Sequence, residues 1–159
     1  MAKFSKNTLT QVSGFDNPII AGELVYNQKT FWNLSFATDG TPVDLTGATI
    51  TAQILRRKIS DLQDTRYGLN FNIADYTPTP TPVTLTITNR SDASGLFTLV
   101  IDESAWGVIA SDPELNIAVN NCVAFSGRIK ISFPVSGTTP ANDNIIFLLF
   151  LVRSDGVVN

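Results

Sequence analysis

The chain has 159 residues, which is enough for one domain with a real core and too few for two comfortable ones. It is mildly acidic, net −3, and its 11 basic residues are scattered rather than banked into a stripe, which disfavours a nucleic-acid partner. Histidine is absent and cysteine occurs once, so the usual general base near neutral pH, the usual zinc ligands and any internal disulfide are excluded together.

The N-terminus, MAKFSKNTLTQ, has lysines but no apolar h-region or small-residue cleavage site, so no secretory signal is read there. Residues 1–17 alternate poorly and carry isolated Phe4, Val12 and Phe15 among polar residues, which predicts an extended arm ahead of a single domain over 18–159. The aromatics of such an arm either tuck onto the domain's own surface or dock on a neighbouring subunit, as arms that order on assembly do.

Asn17-Pro18 makes a turn, Ile19 to Tyr26 predicts a first strand, and Phe31 to Ala37 a second with Trp32, Leu34 and Phe36 on one side. Asp39-Gly40 supplies the positive φ of a tight turn, predicting a hairpin that runs from this strand into Thr41–Leu55. In that stretch, Ala48, Ile50, Ala52 and Ile54 share one face while Thr49, Thr51 and Gln53 share the other. A strand of that pattern is half buried and needs a second sheet to cover it.

Arg56-Arg57-Lys58 leads into Ile59–Tyr67, a charged stretch read as a solvated strand end, and Gly68–Ala74 alternates Leu69, Phe71 and Ile73 as another strand. Thr77 to Pro82 alternates threonine with proline and reads as a stiff connector, because proline lacks the amide donor a central strand needs. Val83, Leu85 and Ile87 then alternate with threonines, and after NRSDASG the chain resumes with Phe97, Leu99 and Ile101 on one face, a second hairpin.

Asp102-Glu103-Ser104 is placed to cap a short helix carrying Ala105, Trp106, Val108 and Ile109. Leu115–Val119 reads as a short edge strand, Cys122 as a buried structural thiol, and Ser126–Phe133 as a strand with Ile129, Ile131 and Phe133 inward. Ile145 to Val152, IIFLLFLV, is apolar on both sides. It is far shorter than the ~20 residues of a membrane helix, and predicts a strand buried on both faces or with one face against a neighbouring subunit.

Seven or eight short strands between Gly, Pro, Asp and Asn turns, with one short helix, predict an all-β fold: an antiparallel immunoglobulin-like β-sandwich.

At GTPVDLTGATITAQIL, preceded by FWNLSF, the sequence resembles the small β-sandwich domains of tailed-phage virion proteins, notably the N-terminal domain of the upper baseplate protein family. The order SGLFTLVIDESAW, then FSGRIKISF and a last apolar strand, is similar in layout to those domains. The resemblance implies an assembly module located in the virion. Members of that family continue into a helical linker and a fibre-holding domain, whereas this sequence stops at Asn159, so a tail or neck accessory or a capsid decoration gains weight over a baseplate scaffold.

The function expected is therefore non-enzymatic, with no catalytic, cofactor or metal residues, and binding to other virion proteins or to further copies of itself. Phe4, Phe15, Tyr26 and Phe31 are the candidate interface anchors. The alternative is a carbohydrate-binding sandwich attaching to host-surface glycans, which requires Trp32 and Trp106 to be exposed. An acid-type hydrolase using two of Asp44, Asp61, Asp64 and Asp102 is the weaker third class, since each has an adequate turn or surface role.

Overall fold

Alternation of apolar and polar residues is carried directly into strands. The computed structural model describes residues 18–57, 81–112, 115 and 122–153. Its strands are β1 (Ile19–Val25), β2 (Thr30–Ser35), the two-residue β3 (Ala37–Thr38) and β4 (Thr41–Pro42), and β5 (Thr49–Arg57). They continue with β6 (Val83–Ser91), β7 (Leu96–Ile101), β8 (Cys122–Phe133) and β9 (Asn142–Arg153), with helix α1 (Glu103–Ile109) following β7. Seven strands run in the order β1-β9-β8-β5-β6-β7-β2, and β3 pairs only with β4.

The seven strands make two layers because β6 changes partner along its length. Its first residues, Val83 to Leu85, pair with Ile54 to Ala52 of β5, and from Thr86 onward it pairs with β7, with an irregularity between Thr88 and Ser91. The layers then close on each other. Trp32 of β2 stacks on Phe150 of β9 with ring centroids 5.0 Å apart and planes 17° apart, although the two strands stand seventh and second in the order. Neighbours β2–β7 on one layer and β5–β8–β9 on the other are those of an immunoglobulin-like sandwich.

Two expectations are corrected. The sandwich is mixed rather than wholly antiparallel, because β1 pairs in parallel with β9, from Ile19 opposite Phe147 to Val25 opposite Arg153. Parallel neighbours need a long crossover, and here everything between the first and last strands supplies it. Second, β2 and β5 are not hairpin partners. Asp39 (φ 49°) and Gly40 (φ 79°) make the tight turn the sequence predicts, but it closes only the β3–β4 ladder. The chain there is crossing between layers: Phe36 N–H donates to the Gly95 carbonyl at 2.7 Å, Val43 N–H to Phe36 at 2.9 Å and Leu45 N–H to Asp92 at 2.9 Å. Those bonds tie the crossing to the β6–β7 turn, so β2 is free to pair with β7.

Along β5 the predicted faces hold. Ala52 and Ile54 are buried, Ile50 is half-buried, and Thr49, Thr51 and Gln53 are exposed. The inner face ends on a charge, Arg56, whose Nε lies 2.8 Å from the Asp112 carboxylate, both side chains being buried. Helix α1 begins as predicted, with Asp102 Oδ1 accepting the Ala105 N–H at 3.1 Å, and buries Ala105, Trp106 and Ile109. The Trp106 indole N–H donates to the Gln28 carbonyl at 2.8 Å, fastening the helix to the β1–β2 turn.

The β6–β7 hairpin and β8 also stand where the alternation places them. The expected arm over 1–17, the charged stretch Ile59–Tyr67, the strand at Gly68–Ala74, most of the proline connector, most of the Leu115–Val119 strand and the side chain of Cys122 lie outside the described residues.

Candidate interaction surface

Strand β9 separates its two faces cleanly. Ile146, Leu148, Phe150 and Val152 point into the sandwich and are at most 2% exposed. The intervening residues lie on the outer face: Ile145, Leu149 and Leu151 are half-buried and Phe147 is 45% exposed. Of the two expectations for IIFLLFLV, burial on both faces does not extend to Phe147, the other outer residues being half-buried. In register with this stripe, β1 sets Ile19 beside Phe147, Ala21 beside Leu149 and Glu23 beside Leu151. On its other flank β8 sets Lys130 beside Ile145, Arg128 beside Phe147, Ser126 beside Leu149 and Ala124 beside Leu151.

The stripe is therefore apolar along its length and bounded by charge. Glu23 is ion-paired with Arg153 at one end, and Lys130 with Asp143 at 2.9 Å at the other. Hydrogen bonds first from Lys130 and then from Ser132 hold the Asp143 carboxyl below its ordinary value. At the start of α1, the Asp102 carboxyl is lowered chiefly by the Thr86 hydroxyl that donates to it, then by the Ala105 N–H. Asp44 is lowered by Thr46, whose N–H it accepts at 2.8 Å in the turn ahead of β5.

Among the described residues, the sheet order leaves two strands, β1 and β2, with one lateral side unpaired. Both lie on the seam where the layers meet, since β1 pairs with β9 and β2 stacks over β9 through Trp32. The β2 edge carries Phe31, 52% exposed, with the Lys29 ammonium 5.5 Å above its ring, a cation–π contact. Next to it is a shallow groove of about 250 Å³ lined by Asn33, Ser35, Asn89, Leu96 and Thr98. There the Thr98 hydroxyl donates to Asn33 Oδ1 at 2.8 Å.

The nominated anchors divide. Phe31 is on the surface. Tyr26 is half-buried and packs edge-on against Trp106 at 5.9 Å, so its ring belongs to the contact between the β1–β2 turn and α1. Phe4 and Phe15 lie outside the described residues. The structure does not bring the four into one patch. Trp32 and Trp106 are both buried, at 9% and 2% exposure, so neither offers the open face that a sugar ring stacks on.

No family model matches the chain, and no curated protein matches it. Among solved structures, the N-terminal domain of phage TP901-1 ORF48 is similar to it at 9% sequence identity and a TM-score of 0.40, over 92% of this chain and 94% of that one. At that level of likeness the functional reading rests on this chain's own residues.

Sequence reasoning missed that β1 is an edge strand among the described residues. Its pairing with β9 joins residues more than a hundred positions apart, and no local pattern encodes that. The one signal was compositional: IIAGELV contains no Lys and no Pro, the residues with which edge strands are usually protected.

Proposed function

We propose that this chain is a non-enzymatic structural protein of a tailed-phage virion, which acts by binding neighbouring virion proteins in the tail, baseplate or neck, or on the capsid surface. The observation that carries the reading is the outer face of β9. A stripe of four large apolar residues, one of them Phe147 at 45% exposure, is more than scattered surface hydrophobicity, and such patches rimmed by charge mark protein–protein contacts. The resemblance at Phe31–Leu55 supplies the virion setting.

The test is mass spectrometry of purified particles from cells carrying the gene, with and without Phe147→Asp. The expected result is the wild-type chain present at fixed copy number per particle, and at least tenfold depleted by the substitution while the soluble protein stays folded. Absence of the wild-type chain from particles overturns the reading.

A further inference from the structure

Thr98 is a hydroxyl buried on the outer side of its sheet. Alternation along β7 turns Phe97, Leu99 and Ile101 inward and Leu96 and Thr98 outward, yet Thr98 is only 4% exposed. It lines the groove beside Phe31 together with the exposed side chains of Asn33 and Asn89. Asn33 arrives by register, directly opposite Thr98 in the β2–β7 ladder. Asn89 arrives by a break in regularity. It has φ 49° and lies in the irregularity of β6 between Thr88 and Ser91, a left-handed conformation that asparagine tolerates and that aims its side chain at Thr98.

The three side chains form one hydrogen-bond chain. Asn89 Nδ2 donates to the Thr98 hydroxyl at 3.5 Å, and that hydroxyl donates to Asn33 Oδ1 at 2.8 Å. A hydroxyl has one proton to give, so the chain has a direction and occupies one half of each amide. Asn33 keeps its Nδ2 protons and Asn89 keeps its Oδ1, and neither group makes a further hydrogen bond among the described residues. Running the chain the other way exchanges the two roles and leaves the same result: one free donor and one free acceptor at the groove.

We infer that this groove holds a neutral sugar ring through two adjacent hydroxyls. Each sugar hydroxyl can accept and donate, so a vicinal pair accepts from the N–H of one amide and donates to the carbonyl of the other. None of the groove's lining residues is charged, which leaves no counter-charge for an anion or a cation. Apolar surface flanks the polar centre. Leu96, 41% exposed, stands opposite Ser35, and Phe31, 52% exposed, lies two residues before Asn33 on the same face. Such surface takes the C–H face of a sugar, a contact that the buried Trp32 and Trp106 cannot make.

The size agrees. At about 250 Å³ the groove falls below the ~300 Å³ at which pockets for drug-sized molecules begin, so a single ring is the fitting unit. A peptide strand added at β2 would pair with its backbone edge, whereas this groove lies on the sheet face and is read by side chains.

The inference stands apart from the virion reading, and each can fail without the other. The experiment is amide NMR of the isotope-labelled full chain titrated with methyl glucoside, methyl galactoside, methyl rhamnoside and N-acetylglucosamine. Millimolar affinity is the scale for one ring. At least one of these sugars is expected to shift, saturably, the side-chain amide signals of Asn33 and Asn89 and the backbone signals of 33–35 and 96–98. Asn33→Ala should weaken that binding by tenfold or more. So should Asn89→Gly, which deletes the amide and keeps the left-handed backbone. Thr51→Ala, exposed on the other layer, should bind as wild type does. No saturable shift at these positions with any of the four sugars overturns the inference. Binding that survives both substitutions overturns it too, as does N-acetylglutamine methylamide shifting the same signals as strongly as the best sugar.

Discussion

At Gly127 two strands approach more closely than a side chain permits. A Cβ there would lie 1.9 Å from the Gln53 carbonyl oxygen and 2.7 Å from Ile54 Cα, both backbone atoms of β5. Overpacking a rigid site costs typically about 1–3 kcal/mol, and contact with the β5 backbone, which cannot turn aside as a side chain can, puts Gly127→Ala at the upper end or above. Gly107, mid-helix in α1 with nothing within 4 Å, is the contrast. There Gly→Ala should stabilise by about 0.5–1 kcal/mol. Urea melts of the two variants should move in opposite directions.

The Arg56–Asp112 pair gives a second test at this scale, because it ends the inner face of β5 with two buried charges. Asp112→Asn or Arg56→Met alone should destabilise by about 3–5 kcal/mol, since each removes one charge of a buried pair, whereas Arg56→Met with Asp112→Leu should recover most of the loss. A double variant as unstable as the sum of the singles would show that the pair itself, rather than the charge each single variant leaves behind, sets the cost.

Among elements, α1 depends on its first residue. Asp102 receives the Ala105 N–H and the Thr86 hydroxyl, so it joins the helix start to β6. Asp102→Ala should cost about 1 kcal/mol, the usual worth of an N-cap. Its carboxyl is lowered from 3.8 in the folded state. The charged form is therefore favoured by folding, and the contribution is fully present above the unfolded value and lost as pH falls through the folded one. Acid unfolding of Asp102→Asn should show a shallower limb below pH 3.8 than wild type. An unchanged limb would place the acid sensitivity elsewhere, at Asp44 or Asp143, which are lowered in the same direction.

What was legible at the element scale followed from locality. The faces of β5, the Asp102 cap and the β6–β7 hairpin are set by residues within about ten positions of each other, and alternation or capping chemistry reports them. The Asp39-Gly40 turn was legible too, but a turn fixes only what immediately flanks it. The chain from Phe36 to Leu45 is held by Gly95 and Asp92, some fifty residues away, and those bonds decide which layer β2 joins. For the candidate surface, the apolar run of β9 was visible, whereas which of its faces is left open depends on β1 and β8 as neighbours.

Across the whole molecule, the core and the outer stripe meet in one strand, so they can be perturbed separately. Phe147→Ser on the outer face should change stability by under about 1 kcal/mol while reducing binding of a hydrophobic dye to the folded protein. Phe150→Ala, on the inner face under Trp32, should cost about 3–5 kcal/mol in the same melts. Comparable losses at both positions would mean that the outer stripe is structural core after all.

The parallel contact of β1 with β9 also has a mechanical meaning. Seven residue pairs, from Ile19 with Phe147 to Val25 with Arg153, run in the same direction. A load entering the chain at Ile19 and leaving at Arg153 would pull the two strands past each other along their axes. Every rung of that ladder then strains together in shear, whereas a hairpin pulled from its open end yields one rung at a time. The strand pair that joins the two ends of the sandwich is thus oriented to resist extension, and a pulling experiment between those residues should meet its largest force peak when β1 slides off β9.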